Sequence, residues 1–164
     1  MNTTRLRIVV ADPQGLDALE LLSEAAIEAQ ALYPELHDPN GPWPTNSSTP
    51  LRGTYLVVYE DRFPIAMGAL RPIDESTAEV RRMYVLKSHR RLGVARRILN
   101  ELEHHAARIG FKTLRLETGN RQFLAMRLYE SYGFARIAPF GTYVDTPTSV
   151  CYEKSVNAPL RTEA

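Results

Sequence analysis

Seven short hydrophobic stretches, several of which alternate with polar residues, predict β-strands along the chain. The first, RLRIVVA, is rich in β-branched residues, which favour extended backbone. The segment EDR between the second and third stretches predicts a hairpin, and RPIDES predicts the next turn, so these strands should form an antiparallel meander. The predicted strands are Arg5–Ala11, Thr54–Glu60, Ile65–Pro72, Thr77–Val85, Thr113–Thr118, Ala135–Ala138 and Val150–Lys154.

A helical period is clearest from about Leu92 to Ile109, before Gly110, which is a natural helix stop. This segment should bury one apolar face, formed by Leu92, Ala95, Leu99, Leu102, Ala106 and Ile109.

Two further helices are predicted. The first should begin with Asp12 as N-cap and Pro13 at the first helical position, and run to about Tyr33. The second is shorter, covers about Gln122 to Tyr132, and ends at Gly133.

The order of these elements predicts an α+β fold with a mixed, mostly antiparallel sheet and helices on both faces. The strand Thr77–Val85, the long helix and the strand Thr113–Thr118 form a β-α-β unit, so the two strands should lie parallel and adjacent, or nearly so. We expect one domain over residues 1–164, with the irregular segment Pro34–Pro50 as a functional or mobile loop.

Composition excludes several classes of protein. The 164 residues carry a formal net charge of +1, which disfavours a general nucleic-acid coat. The single cysteine, Cys151, allows no intrachain disulfide and fits a reducing cytoplasm. No apolar run approaches the roughly 20 residues that span a bilayer, and the amino-terminal apolar run predicts a strand rather than a signal peptide. We therefore expect a cytoplasmic protein without a membrane partner.

Four arginines surround the start of the long helix, in the segment RRLGVARR. Acidic residues are expected there, because the first turn of a helix has unpaired N–H groups and the positive end of the helix dipole. Gly93 would let the backbone approach a ligand closely, so the segment could bind a phosphate. The alternative is a solvated basic turn. Neither a P-loop nor a G-x-G-x-x-G motif is present.

A family resemblance bears on this choice. The segment RMYVLKSHRRLGVARRIL resembles the acyl-CoA signature of the GCN5-related N-acetyltransferase (GNAT) family, in which Arg or Gln, a Gly and a Gly or Ala are spaced as Arg90, Gly93 and Ala95 are here. A further segment, LETGNRQFLAMRLYESYGFARIAPFG, is similar to the family's later strand and helix, where Leu-Tyr-Glu precedes Gly-Phe. The resemblance covers about Tyr55–Lys154.

The resemblance implies a central parallel strand pair that splays apart to admit acyl-CoA. It implies direct transfer of an acetyl group from acetyl-CoA to a primary amine of a small molecule, without a metal. The expected cofactor-binding residues are Met83 and Val85 through main-chain groups, the loop residues Arg90, Arg91, Leu92, Gly93, Val94, Ala95 and Arg96, and Asn120. Asn120 would equally suit a helix N-cap.

Tyr129 corresponds to the family's usual general acid near the sulfur, and a packed aromatic side chain is the alternative. Glu79 is our first candidate for the base, on a strand where strict alternation would place Glu79, Arg81, Met83 and Val85 on one face. Its alternative is an ion pair with Arg81 or Arg82, and Glu117 is the competing carboxylate.

Three other functions remain open from the residues: a protein or peptide N-acetyltransferase, a non-catalytic acyl-CoA-binding module, and a nucleic-acid binder that uses the Arg81–Arg97 cluster. Tyr33, His37 and Trp43 are candidates to line the acceptor pocket. A homodimer is a candidate assembly.

Overall fold

Seven strands form one mixed sheet in the order β1-β2-β3-β4-β5-β7-β6 in the computed structural model, which describes residues 5–157. The strands are β1 Leu6–Val10, β2 Thr54–Glu60, β3 Phe63–Pro72, β4 Thr77–Val85, β5 Thr113–Gly119, β6 Ala135–Ile137 and β7 Ser149–Ser155. All pairs are antiparallel except β4–β5, which is parallel. The meander, the parallel pair and the α+β class are thus confirmed.

Three α-helices cover both faces of the sheet: α1 Leu16–Leu32, α2 Val94–Arg108 and α3 Phe123–Tyr132. α1 packs on one face through Ala18, Leu21 and Leu22 against Tyr55, Val57 and Met67. α2 and α3 pack on the other face, in a larger core that includes Ile98, Leu102, Leu114, Tyr129 and Tyr152. Within residues 5–157, none of the helices is long and apolar enough to cross a bilayer.

The predicted start of α1 is wrong by three residues. Asp12 accepts a hydrogen bond from the Gln14 N–H at 2.9 Å, which closes a local turn, and Gly15 is the N-cap of the helix. Asp and Pro favour turns as strongly as they favour helix starts, so the pattern could not separate the two.

The start of α2 is also later than expected. Leu92 lies before the helix and is 70% exposed, whereas Val94 is buried at its first position. Gly93 adopts φ +79°, which ends the preceding loop, so the helical period begins only after it. The buried stripe is therefore Val94, Ile98, Leu99, Leu102 and Ala106, with Glu103 among them.

Candidate active site

A gap opens in the middle of the sheet where β4 and β5 separate. The two strands pair only over Thr77–Glu79 and Thr113–Arg115, although β4 has nine residues and β5 seven. The predicted splay of the parallel pair is therefore present. The unpaired halves of β4 and β5 leave main-chain groups available to a ligand that lies between them.

The main chain of Val85 points into this gap. The next residue, Leu86, donates its N–H to the Ile65 carbonyl of β3 at 2.9 Å, so Val85 points away from β3 by the alternation of an antiparallel ladder. Met83 has the same orientation two residues earlier. The pantetheine contacts expected of these two residues stay a prediction, and this direction supports them.

A β-bulge at Arg82 interrupts β4. Two steps along β3, from Met67 to Ala69, match three steps along β4, from Tyr84 to Arg81, and Arg82 has φ +57°. The extra residue reverses the side-chain alternation. The prediction that Glu79, Arg81, Met83 and Val85 share one face is therefore wrong. Met83 packs with the α2 core, whereas Glu79 bonds to Arg71 and Tyr143 on the opposite face.

The loop before α2 presents unpaired N–H groups to open space. The first bond within the helix runs from Arg97 N–H to the Gly93 carbonyl at 3.1 Å, so the N–H groups of Val94, Ala95 and Arg96 have no helical acceptor. No side chain caps this end, and no acidic residue lies in the first turn. A Cβ at Gly93 would meet no atom within 4 Å. The site fits an anion such as pyrophosphate.

The arginines of this loop have different surroundings. Arg90 is half-buried and bonds to the Val85 carbonyl at 2.9 Å and to Glu28 of α1 at 2.5 Å. These two contacts partly enclose the Arg90 side chain. Arg91 is exposed, and Arg96 bonds to Ser131 of α3 at 2.7 Å. Of Arg90, Arg91 and Arg96, Arg91 is thus the one most available for a ligand, and Arg90 fastens the loop to α1 and β4.

Tyr129 is 6% exposed and lies in the core beneath α3, with its ring against Phe134 and Tyr152. Burial, together with the charge of Glu117, raises the pKa of its phenol, which stays protonated at neutral pH. No hydrogen bond to its hydroxyl is formed within residues 5–157, yet no buried polar side-chain atom there lacks a partner. The hydroxyl oxygen therefore reaches solvent, as a proton donor to a ligand would.

Glu79 is 2% exposed, and both of its oxygens are bonded. Arg71 donates to Oε1 from Nε at 2.9 Å, and one of its terminal nitrogens lies 2.8 Å from the same oxygen in an ion pair. The Tyr143 hydroxyl donates to Oε2 at 2.6 Å. The partner is Arg71, which lies opposite Glu79 on β3, rather than Arg81 or Arg82. These contacts suit a residue that fixes the strand and positions Tyr143.

Glu117 lies on the same face of the sheet, on the unpaired half of β5, and is half-buried. Burial and the charge of Glu79 raise the pKa of its carboxyl, although Arg81 acts in the opposite direction. Glu117 and Tyr143 line a cleft of about 370 Å³. A carboxylate that is raised in pKa and open to a cleft has the properties of a general base.

A second cleft of about 420 Å³ lies between α1 and β4, and Tyr33 and Leu36 line both clefts. Tyr33 and His37 line this second cleft, whereas Trp43 is 62% exposed and lies outside its walls, and the acceptor pocket expected of these residues stays a prediction. The Tyr33 hydroxyl sits against Gly119 so closely that a Cβ there would lie 2.1 Å from it. Gly119 thus lets the end of α1 meet the end of β5.

Asn120 lies in the turn between β5 and α3, exposed, with its N–H bonded to the Thr148 carbonyl at 2.8 Å. The alternative role as an N-cap is wrong, because Gln122 is the N-cap of α3. Its contact with pantetheine stays a prediction.

Three side chains at or beside the clefts were not singled out as site residues from the sequence: Arg82 and Tyr143, which line them, and Asn46, which contacts Arg82. Their roles depend on partners far away in the chain, since Arg82 Nε donates to Asn46 Oδ1 at 2.9 Å and Tyr143 reaches Glu79. The available signal was local: an Asn and a Tyr inside long irregular segments, which often carry function.

Comparison with known proteins identifies a family. The model of the "Acetyltransferase (GNAT) family" matches residues 18–134. An uncharacterized N-acetyltransferase, YsnE of Bacillus subtilis, is 35% identical over 111 residues, which are 65% of this chain and 74% of that protein. The IAA acetyltransferase of Azospirillum brasilense is 41% identical over 76 residues, 46% of this chain and 50% of that protein.

Solved structures share the fold. A Klebsiella pneumoniae protein named as an acyl-CoA N-acyltransferase superposes with a TM-score of 0.76 at 26% identity, over 94% of this chain and 100% of that one. A GNAT family acetyltransferase from Elizabethkingia anophelis with acetyl-CoA bound superposes with a TM-score of 0.65 at 16% identity, over 92% of this chain and 97% of that one.

Proposed function

Because this chain belongs to the GNAT family of acetyltransferases, we propose that it moves the acetyl group of acetyl-CoA directly to the primary amine of a small molecule. The observation that carries the proposal is the gap between β4 and β5, which lies between an uncapped helix start and two clefts. Acetyl-CoA supplies the activated acyl group as a thioester, and the amine displaces the thiolate from it.

The loop suits the pyrophosphate of acetyl-CoA, and the gap suits its pantetheine arm. The N–H groups of Val94, Ala95 and Arg96 would bind the pyrophosphate, and Arg91 would add an exposed charge beside them. Main-chain groups of Met83 and the N–H of Val85, whose carbonyl already accepts a bond from Arg90, would pair with the pantetheine as a neighbouring strand does. A Val85 N–H that points into the gap could also polarise the thioester carbonyl.

Proton transfer needs one donor and one acceptor. Tyr129 is protonated at neutral pH and its hydroxyl reaches solvent, so it would donate to the departing sulfur. For the acceptor, the contacts favour Glu117 over our first candidate, Glu79. The carboxylate of Glu79 is already bonded on both oxygens, whereas Glu117 faces a cleft with a raised pKa. Glu117 would accept the ammonium proton directly or through water.

Release of free coenzyme A thiol tests the proposal, measured with acetyl-CoA and a panel of amino acids, polyamines, aminoglycosides and short peptides. We expect release with one class of small amine. Tyr129→Phe should lower kcat by about 10²-fold, the usual size of a general-acid effect, with acetyl-CoA affinity in calorimetry unchanged. Tyr59→Phe is the matched control, since Tyr59 bonds Asp17 far from the gap.

Other outcomes would redirect the assignment. Release only with peptides would establish a protein or peptide acetyltransferase. Tight acetyl-CoA binding without release for any acceptor would contradict transfer to a small amine. Equal activity of Tyr129→Phe and the parent protein would contradict the proton-donor role of Tyr129. It would not contradict the proposed acetyl transfer.

A further inference from the structure

Arg82 carries a charge that no carboxylate balances. Its side chain is half-buried, and its two bonds go to neutral oxygens: Nε to Asn46 Oδ1 at 2.9 Å, and a terminal nitrogen to the Thr45 carbonyl at 3.3 Å. It forms no ion pair with any residue in 5–157. An unpaired, partly desolvated cation is unfavourable unless an anion joins it.

The surrounding charges make this imbalance larger. Burial lowers the pKa of the Arg82 guanidinium, and the charges of Arg81 and Arg71 act in the same direction. The hydroxyls of Tyr55 and Tyr143 act in the opposite direction. Three arginines therefore meet near the bulge, and within residues 5–157 only Arg71 has a carboxylate partner, in Glu79.

The backbone holds Arg82 in this position. Its φ of +57° is a conformation that non-glycine residues rarely adopt, and such strain persists where the surroundings fix it. Asn46 supplies that support. It is 6% exposed, donates to the Pro13 carbonyl at 2.8 Å and to the Tyr55 hydroxyl at 3.2 Å, and so presents Oδ1 to Arg82 in a fixed direction. The guanidinium is thus oriented before any ligand arrives.

The cleft that Arg82 lines is otherwise mostly apolar. Its walls include Leu22, Ala25, Ala29, Met67 and Tyr84, and its volume of about 420 Å³ lies within the usual range for small-molecule sites. Met83 also lines this cleft, and its main chain is directed at the gap. A molecule in the cleft therefore has an apolar enclosure, one cationic contact and access to the acyl site.

We propose that the acceptor is a small amine with an apolar body and a carboxylate, such as an apolar amino acid, and that Arg82 binds its carboxylate. The inference rests on the proposed acetyl transfer and names its substrate class. A planar guanidinium with free terminal N–H groups can bind a carboxylate with two parallel bonds. The carboxylate would hold the amine towards the gap, where Val85 lies about 10 Å further along the strand at about 3.3 Å per residue.

Matched acceptor pairs test the proposal in the thiol-release assay. The pairs are leucine, methionine and phenylalanine with their carboxamides, which keep the amine and the apolar side chain. The amine of a carboxamide loses its proton more easily, so a preference for the acids cannot arise from amine reactivity. We expect kcat/KM for the acids to exceed that for the amides by at least about tenfold, as one charge-assisted bond pair provides.

Arg82→Gln should lower kcat/KM for the acids by about 10- to 100-fold and leave the amides within about twofold. Arg82→Lys should recover part of the loss, because it restores the charge without the planar fork. Arg62→Gln, an exposed turn arginine, is the matched control and should change nothing. Equal activity on acids and amides, or an equal loss for both in Arg82→Gln, would overturn the proposal.

A second measurement needs no turnover. The Nε–H of Arg82 is bonded to Asn46, so it should give a ¹⁵N–¹H correlation, which is assigned by its loss in Arg82→Gln. We expect this signal to shift and saturate with the acids and to stay in place with the amides. A signal unmoved by every acid would overturn the carboxylate site even where thiol is released. A shifted signal without thiol release for any amine would retain the site and contradict the transfer.

Discussion

Glu79 and Glu117 are two carboxylates on one face of the sheet with opposite surroundings. Glu79 accepts bonds from Arg71 and Tyr143, and its charge is balanced. Glu117 is half-buried beside Glu79, and the pKa of its carboxyl is raised. The first arrangement stabilises the folded protein, and the second prepares a group for proton transfer.

Neutral substitutions should therefore shift stability in opposite directions. Glu79→Gln removes the charge that Arg71 and Tyr143 contact, and we expect the free energy of unfolding to fall by about 1–3 kcal/mol. Glu117→Gln should raise the free energy of unfolding by up to about 1 kcal/mol, because it removes a half-buried negative charge that lies beside Glu79. Urea unfolding at pH 7 measures both. A loss of stability in Glu117→Gln would contradict its assignment.

The pH dependence of activity separates the two carboxylates further. The folded protein holds the Glu117 proton more tightly than the unfolded chain does, so its ionisation takes place above the ordinary value of 4.5. We expect kcat/KM for the acceptor to rise with pH through this raised pKa, as the base loses its proton. Glu117→Gln should lower kcat and abolish this rise. A profile unchanged in Glu117→Gln would assign the base elsewhere.

These two roles could not be separated from the sequence. Glu79 and Tyr143 are 64 residues apart, and nothing local indicates that they meet. Tyr129 was identified because it lies inside a segment that resembles a family motif. The surroundings of its side chain, against Phe134 and Tyr152, depend on how α3 packs on the assembled sheet.

At the scale of elements, the amino-terminal end of α2 combines two left-handed residues, Arg91 and Gly93, with φ of +64° and +79°. Open space lies beyond Gly93, so its importance comes from its backbone angle rather than from crowding. Arg90 fixes the same loop from behind through Glu28.

Substitutions in this loop should therefore act differently. Gly93→Ala should destabilise the fold by about 1 kcal/mol, because its backbone conformation disfavours a side chain. Arg91→Glu should weaken acetyl-CoA binding about tenfold and leave the melting temperature unchanged, because its side chain is exposed. Arg90→Glu should lower both, since it places a carboxylate beside Glu28. Calorimetry and thermal melting measure the two effects, and an equal response of Arg90 and Arg91 variants would contradict this division.

The bulge in β4 is a feature that the alternating sequence pattern does not predict. The sequence TAEVRRMYV alternates well enough to predict the strand with its correct ends. The sequence does not indicate where the extra residue lies, because arginine, which occupies position 82, does not favour a left-handed backbone. The strand was predictable from local preference, whereas its faces depend on pairing with β3 and on the support of Asn46.

At the scale of the whole molecule, Glu103 joins three elements. This residue of α2 is 5% exposed and accepts bonds from Lys154 of β7 at 2.5 Å and Tyr132 of α3 at 2.8 Å. The N–H of Asn157 adds a third bond at 3.0 Å. Burial alone would raise its pKa, but these donors together hold it below the ordinary value of 4.5.

Acid should weaken the fold through this group. A carboxyl with a depressed folded-state pKa contributes stability above 4.5 that is lost as pH falls through the folded-state value. Lys154→Met should lower the free energy of unfolding at pH 7 by about 3 kcal/mol and flatten its acid dependence, because Glu103 stays buried without its cation. The double variant with Glu103→Leu should be more stable than Lys154→Met. Urea unfolding between pH 3 and 7 measures this, and a less stable double variant would contradict it.

The topology as a whole was accessible from the sequence, because β-hairpins and the β-α-β connection restrict the order of strands. The placement of β7 between β5 and β6 needs long-range pairing and is absent from local pattern.

The short parallel ladder has a further consequence for the folded state. Only three residue pairs of the described sheet join the four strands β1–β4 to the three strands β5–β7, so strand pairing between the two halves of the sheet is short. A strand-like ligand in the gap would bridge these halves and act as a part of the folding unit. The free energy of unfolding would then contain a term RT ln(1 + [L]/Kd), about 2.7 kcal/mol at a hundredfold excess over Kd. The tolerance of this chain to destabilising mutations would rise and fall with the supply of its own cofactor.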